Sequence, residues 1–215
     1  MPYVDDPAFA DFAKGENQVR YTIQQLIEQH VSPIAPSSWC QYDFDLTGAS
    51  LRNTVFDGAT CSGSTWFNRA TFIGDAGFYR ATFAGMNTFE AATFSGNAGF
   101  MGATFSSGAR VDKVTFCDDA TFNEATFSGV AWFEEETFTG DSSIDNARFS
   151  GHTSFDKATF AREPTFNNAT LAKPPSVMGM TVTVSPALDG VPFPQWPSAP
   201  TATTDTTNQP PDPVR

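Results

Sequence analysis

The residues that could do acid–base, nucleophilic or metal chemistry are few and scattered. The two histidines, His30 and His152, stand 122 positions apart with no cysteine spaced near either as a zinc site would require. Cys40, Cys61 and Cys117 are odd in number and far apart, which argues against a disulfide framework and fits a reducing cytoplasm. There is no phosphate-binding glycine loop and no dinucleotide fingerprint. Nothing here suggests a catalytic site, a metal site or a cofactor, so an enzyme is not expected. Carboxylates are the one abundant chemical group: 24 Asp and Glu stand against 12 Lys and Arg, a net charge of −12. A chain this acidic is not expected to bind nucleic acid through a basic patch. Four of the acids, Glu90, Asp112, Glu134 and Asp156, recur at steps of 22 residues, with Glu135 beside the third.

The elements that must position them are written in the phenylalanines, 22 in all. Phe67, Phe72, Phe78, Phe83, Phe89, Phe94, Phe100 and Phe105 alternate steps of 5 and 6. Val111, Ile144 and Leu171 stand in where the series continues. Before Phe67 the step is 5, through Leu46, Leu51, Phe56 and Cys61. From Leu46 to Leu171 there are 24 centres, 18 of them Phe. The residue two before a centre is usually Ala, and Gly often follows two after it. Small-in, polar-out, large-in and then a turn is a strand pattern. Steps of 5 and 6 cannot form one stripe on a helix of 3.6 residues per turn.

A five-residue period with a large apolar centre and Ala two before it resembles the pentapeptide-repeat family, and Asp45-Leu46-Thr47-Gly48-Ala49-Ser50-Leu51-Arg52-Asn53 reads like its consensus. The resemblance implies an all-β fold, a right-handed quadrilateral β-solenoid with four short faces per coil, over residues 44–172. Alternating 5 and 6 makes most coils 22 residues, so every second corner should carry an extra residue. Four centres per coil give about six coils and, at roughly 4.8 Å per strand, a rod about 29 Å long. The resemblance also implies two roles. One is a rigid non-catalytic scaffold for a protein partner. The alternative is an acidic DNA mimic that binds DNA gyrase or a related type II topoisomerase and protects against fluoroquinolones. On either, the column Glu90, Asp112, Glu134 and Asp156, with Glu135, is the candidate interaction surface; a solvated face with partial charge pairing is the plainer reading. Between Phe67 and Leu171 there are 13 acids and 7 bases, a modest charge for a competitor of DNA.

Glu136 breaks the pattern. It occupies the small inward position two before Phe138. An unpaired buried carboxylate is expensive, so a distorted coil with Glu136 turned to solvent is expected. Threonines stack at the same period, Thr71 to Thr159 on one face and Thr82 to Thr170 on another, as good strand residues should.

The flanks differ in kind. Residues 1–43 hold an amphipathic helix over about 17–31, with Val19, Ile23, Leu26, Ile27 and Val31 on one stripe and Pro33 ending it. It is expected to cap the first coil, or to dock a partner through Ile23, Leu26 and Ile27. Residues 173–215 hold 10 of the 15 prolines and read as an extension at least partly disordered; within it Phe193 and Trp196 form a second candidate docking motif. A homodimer through a solenoid end is open. No apolar run reaches the length of a membrane span, and the first residues carry no secretory signal, which together point to the cytoplasm.

Overall fold

The computed structural model describes residues 7–183, with side chains from residue 15 onward. A 25-residue helix, α1 (Pro7–Val31), leads into a parallel β-solenoid of six coils. Every strand pair is parallel, and each strand pairs with the one a full coil away. The offset is 21 residues out of the first coil (Phe44↔Thr65, Ser50↔Thr71) and 22 in later ones (Thr65↔Asn87, Thr71↔Thr93). The strands form four faces. The first runs through Phe44–Asp45, Thr65–Trp66, Asn87–Thr88, Gly108–Arg110, Val130–Trp132 and Thr153–Ser154. The second carries the threonine ladder Thr71, Thr93, Thr115, Thr137, Thr159 and Thr181. The third runs through Ala76, Ala98, Ala120 and Ser142, and the fourth through Thr60, Thr82, Thr104 and Thr126. Pairing continues past Leu171: Ser154 bridges Ser176, and Thr181–Val182 pairs with Thr159–Phe160.

The centres form four interior columns. Phe72, Phe94, Phe116, Phe138 and Phe160 stack with centroids 4.3, 5.1, 4.7 and 4.5 Å apart. Such contacts are worth roughly 0.5–1.5 kcal/mol per pair beyond burial. The alanines two before each centre fill the gaps; Ala59, Ala81, Ala103, Ala125 and Ala158 are fully buried.

The corners alternate, and the reason is conformational. After each first-face and third-face strand the chain turns in five residues. Phe67 C=O accepts the N–H of Ala70 at 3.0 Å, and the residue between, Arg69, has φ +56°. A bond from i+3 to i with positive φ only at i+2 is a type II turn. Ala91 and Lys157 repeat it with the bond, and Lys113 and Glu135 keep the positive φ without it. The other two corners hold the extra residue, and most of the glycines two after a centre sit there. A Cβ at Gly129 or Gly151 would run into the carbonyl of the residue one coil below, so these glycines serve close packing of coil on coil.

α1 caps the first coil through polar groups. Gln24 is buried, accepts the Arg52 N–H at 2.8 Å and donates to the Arg52 C=O at 2.6 Å. Its amide thus stands in for the strand that the first coil lacks, which is what an open sheet edge requires. Glu28 accepts from Gln24 and from the Val55 N–H. Ile27 and Val31 pack on the core, but Val19, Ile23 and Leu26 are exposed. The expected apolar stripe is therefore only half used.

The cysteine expectation is overturned: Cys40 and Cys61 are paired in a disulfide. Cys40 lies 21 residues before Cys61, one first-coil length, and so sits directly beneath it. Cys61 is buried at a centre position and Cys117 is exposed.

Candidate interaction surface

The 22-residue coil brings Glu90, Asp112, Glu134 and Asp156 into one column along the edge of the first face. The backbone carbonyl of each accepts from the coil before it: the N–H groups of Arg69, Ala91, Lys113 and Glu135 donate to Glu90, Asp112, Glu134 and Asp156 in turn, at 2.8–2.9 Å. Strands about 4.8 Å apart would leave neighbouring charges repelling by roughly 1 kcal/mol even in water. The structure relieves this in several ways. Asp156 accepts the Met178 N–H at 2.6 Å and the Ser176 hydroxyl at 2.6 Å, and these bonds, the hydroxyl foremost, hold its pKa below the usual carboxylate range. Asp112 is ion-paired to Arg110 on the same face. Burial nevertheless pushes the Asp112 pKa up, against the pull of Arg110 and with the help of Glu134 and Glu90. In the next column Glu135 stands between Lys113 and Lys157 and accepts from Lys157 at 2.9 Å, a bond that lowers its pKa.

Carboxylate-to-backbone bonds of this kind recur at other corners. Asp57 accepts the Tyr79 N–H, Asp75 that of Asn97, Asp119 that of Asp141, and Asp145 that of Asn167, all at 2.7–3.0 Å. Asp75, Asp119, Asp141 and Glu163 form a second acidic column that the sequence reading passed over. The signal was present: it is the same 22-residue step, interrupted once by Asn97. Much of the acidity is thus capping that ties one coil to the next.

Glu136 requires a correction. It points inward, is 0 % exposed, and neither carboxylate oxygen finds a partner; the turn beside it keeps its positive φ at Glu135 but lacks the closing Glu136 N–H to Phe133 C=O bond. The expectation that it would turn to solvent assumed a charged group. Burial pushes its pKa up to about 9; its own backbone N–H opposes this weakly, and Asp112, Glu134 and Glu135 add to the rise. Glu136 is a neutral acid at neutral pH, and neutrality removes most of the penalty. The first interior column runs Phe67, Phe89, Val111, Phe133, Phe155, and directly one coil below Glu136 stands Val114, fully buried where Ala70, Ala92 and Ala158 stand in other coils. A third buried carboxylate oxygen, Asp112 Oδ1, also lacks a partner there.

The first face differs from the second and fourth in what it shows outward, and the edge of the third exposes Tyr79 and Met101. Trp66, Thr88, Arg110, Trp132 and Ser154 lie in register. Thr88 and Ser154 are buried between their large neighbours, whereas Trp132 and Met86 are exposed. Sequence reasoning missed Trp66, Arg110, Trp132 and Met86, because they follow no repeat. The outward positions of the second and fourth faces are mostly Thr, Ser and Ala. His152 is exposed, and His30 stacks on Trp39 at 3.9 Å. Among the described residues no group of three or more His, Cys, Asp or Glu is arranged to hold a metal ion, and no helix is long and apolar enough to cross a membrane. Of the docking residues, Ile23 and Leu26 are exposed and Ile27 is half-buried; Phe193 and Trp196 lie outside the described residues.

The family model for pentapeptide repeats matches residues 46–93 and 89–137. With six parallel coils built on the same centres, the chain is a pentapeptide-repeat protein. Neither a curated protein nor a solved structure matches it.

Proposed function

We propose that this protein is a non-catalytic scaffold that recognises a protein partner through its first face. The observation that carries this is the concentration of Trp66, Met86, Arg110 and Trp132 along the first face, against second and fourth faces clad mostly in Thr, Ser and Ala; the edge of the third face exposes only the smaller pair Tyr79 and Met101. Trp, Met and Arg are the residue types enriched at protein interfaces and their hot spots, and a rigid face spares the partner the entropy of ordering it. The acidic column beside it steers a partner of complementary charge. The test is a paired capture experiment. One bait carries Trp66→Ala, Arg110→Ala and Trp132→Ala; the other carries Thr93→Ser and Thr115→Ser on the second face. Partners captured by the unaltered protein should be lost with the first bait and kept with the second. Equal capture by both would refute the assignment.

A second reading is supported by the two acidic columns: a DNA surrogate that occupies DNA gyrase. Titrating gyrase supercoiling with the protein at two salt concentrations separates the readings. Salt-sensitive inhibition that disappears on charge reversal at Glu90, Asp112, Glu134 and Asp156 supports the surrogate, and an unaffected enzyme supports the scaffold.

A further inference from the structure

We propose that residues 184–194 complete a seventh coil over the third and fourth faces, with Leu188 and Phe193 closing the two interior columns that end at Phe166 and Leu171. The described residues stop at Thr183, after the seventh coil has laid Ser176 on the first face and Thr181–Val182 on the second. They supply no seventh strand on the third or fourth face. Val177, the last centre of the first column, is 37 % exposed, as the open end of a column should be. Phe166 and Leu171 stand at the matching ends of the third and fourth columns, yet they are only 6 % and 4 % exposed. A solenoid end needs a cover for its core and its strand edges, and residues 184–215 follow directly in the chain.

The register of those residues names the occupant. In steps of 22, Leu188 follows Phe122, Ile144 and Phe166, and Phe193 follows Phe127, Phe149 and Leu171. Pro186 repeats Pro164, which is buried two positions before Phe166. The corner between the two faces is also in step. Arg80, Gly102, Glu124, Asn146 and Asn168 all have positive φ, and the next residue in that series is Gly190, which adopts it without strain. One position earlier, the Asn123 side chain accepts the Asp145 N–H and the Asp145 side chain accepts the Asn167 N–H. Asp189 follows Asn167 at the same step, so its N–H reaches the Asn167 side chain. The prolines set where the rod stops. On the fourth face each strand donates two N–H groups to the coil below: Thr126 and Ser128 to Ala103 and Phe105, then Thr170 and Ala172 to Ala147 and Phe149. The matching residues of the seventh coil are Pro192 and Pro194, which have no N–H to give. Phe193 therefore covers Leu171 with its ring while the ladder on this face ends beneath it. Phe193 thus belongs to the fold rather than to a partner, and the carboxyl end of the rod is closed to a second copy.

Hydrogen–deuterium exchange of the full chain, read peptide by peptide at about 2 and about 100 μM, tests this, since a cover supplied by self-association would depend on concentration. The backbone over residues 187–191 should exchange at least about 100-fold more slowly than that over 200–215, equally at both concentrations. Gly190→Val and Phe193→Ala should each remove that protection, and Phe193→Ala should lower the Tm by about 5 °C. Exchange over 187–191 as fast as over 200–215, or protection that survives both substitutions, would overturn the proposal. So would protection found only at the higher concentration together with a dimer in sedimentation velocity, which would make a second copy the cover.

Discussion

Two columns of the same solenoid follow the repeat to different degrees. The column from Phe72 to Phe160 is unbroken, each ring stacked on the next. The column from Phe67 to Phe155 stacks at its ends, 4.9 Å between Phe67 and Phe89 and 5.0 Å between Phe133 and Phe155, but is interrupted by Val111. At that interruption lie the buried Glu136, the buried Asp112 and, on the surface outside, Arg110 and Trp132. Where the repeat is obeyed the coils only hold one another together. Where it is broken, unpartnered carboxylate oxygens enter the interior beside Val111 and Val114. That the break falls beneath the face with the exposed Trp132 ties it to the candidate interaction surface.

The unbroken column is expected to be the more sensitive. Phe116→Ala removes a fully buried ring and both its stacking partners, and should cost about 3–5 kcal/mol in chemical unfolding. A loss under about 1 kcal/mol would mean that the rod tolerates local gaps and that the stacking argument is wrong.

In the broken column the opposite sign is expected. The folded pKa of Glu136 is raised to about 9 from an ordinary 4.5. Its contribution to stability is fully present below about pH 4.5 and is lost as the pH rises toward 9. At neutral pH that loss is roughly 3 kcal/mol by the usual conversion. Glu136→Ala, the residue found at the matching positions 70, 92 and 158, should therefore stabilise the protein by about 2–3 kcal/mol at neutral pH and flatten its stability between about pH 5 and 9. Unfolding midpoints measured across that range check both.

The smallest effect probes how the two anomalies fit together. Val111→Phe alone should overpack the corner and destabilise by about 1–3 kcal/mol. With Glu136→Ala in place the same change should be near neutral. A double-mutant cycle with no coupling would show that Val111 and Glu136 are unrelated exceptions.

Most of the rod was legible in the sequence, because a solenoid interior imposes one residue type at each position of every coil. The centres, the inward alanines and the 22-residue column of carboxylates could all be counted before any coordinates. What was illegible depended on local chemistry. Glu136 was misplaced because a carboxylate was treated as charged, whereas burial raises its pKa to about 9 and leaves it neutral. The cap was expected, but its means were not: apolar spacing was taken as the signal, whereas an open strand edge needs hydrogen bonds, and Gln24 supplies them. The disulfide was missed because Cys40 precedes the repeat, yet its distance from Cys61 equals one coil. Trp66, Arg110 and Trp132 went unnoticed for the reason that makes them candidates: nothing in the repeat demands them.

The most direct measurement is a carbon-13 NMR titration of the side-chain carboxyl groups, with the Glu136 signal assigned by its loss in Glu136→Gln. A buried neutral acid at the broken corner predicts a carboxyl that stays protonated through neutrality and titrates near pH 9. A midpoint near 4.5, with the exposed glutamates, would place Glu136 in water and contradict the account.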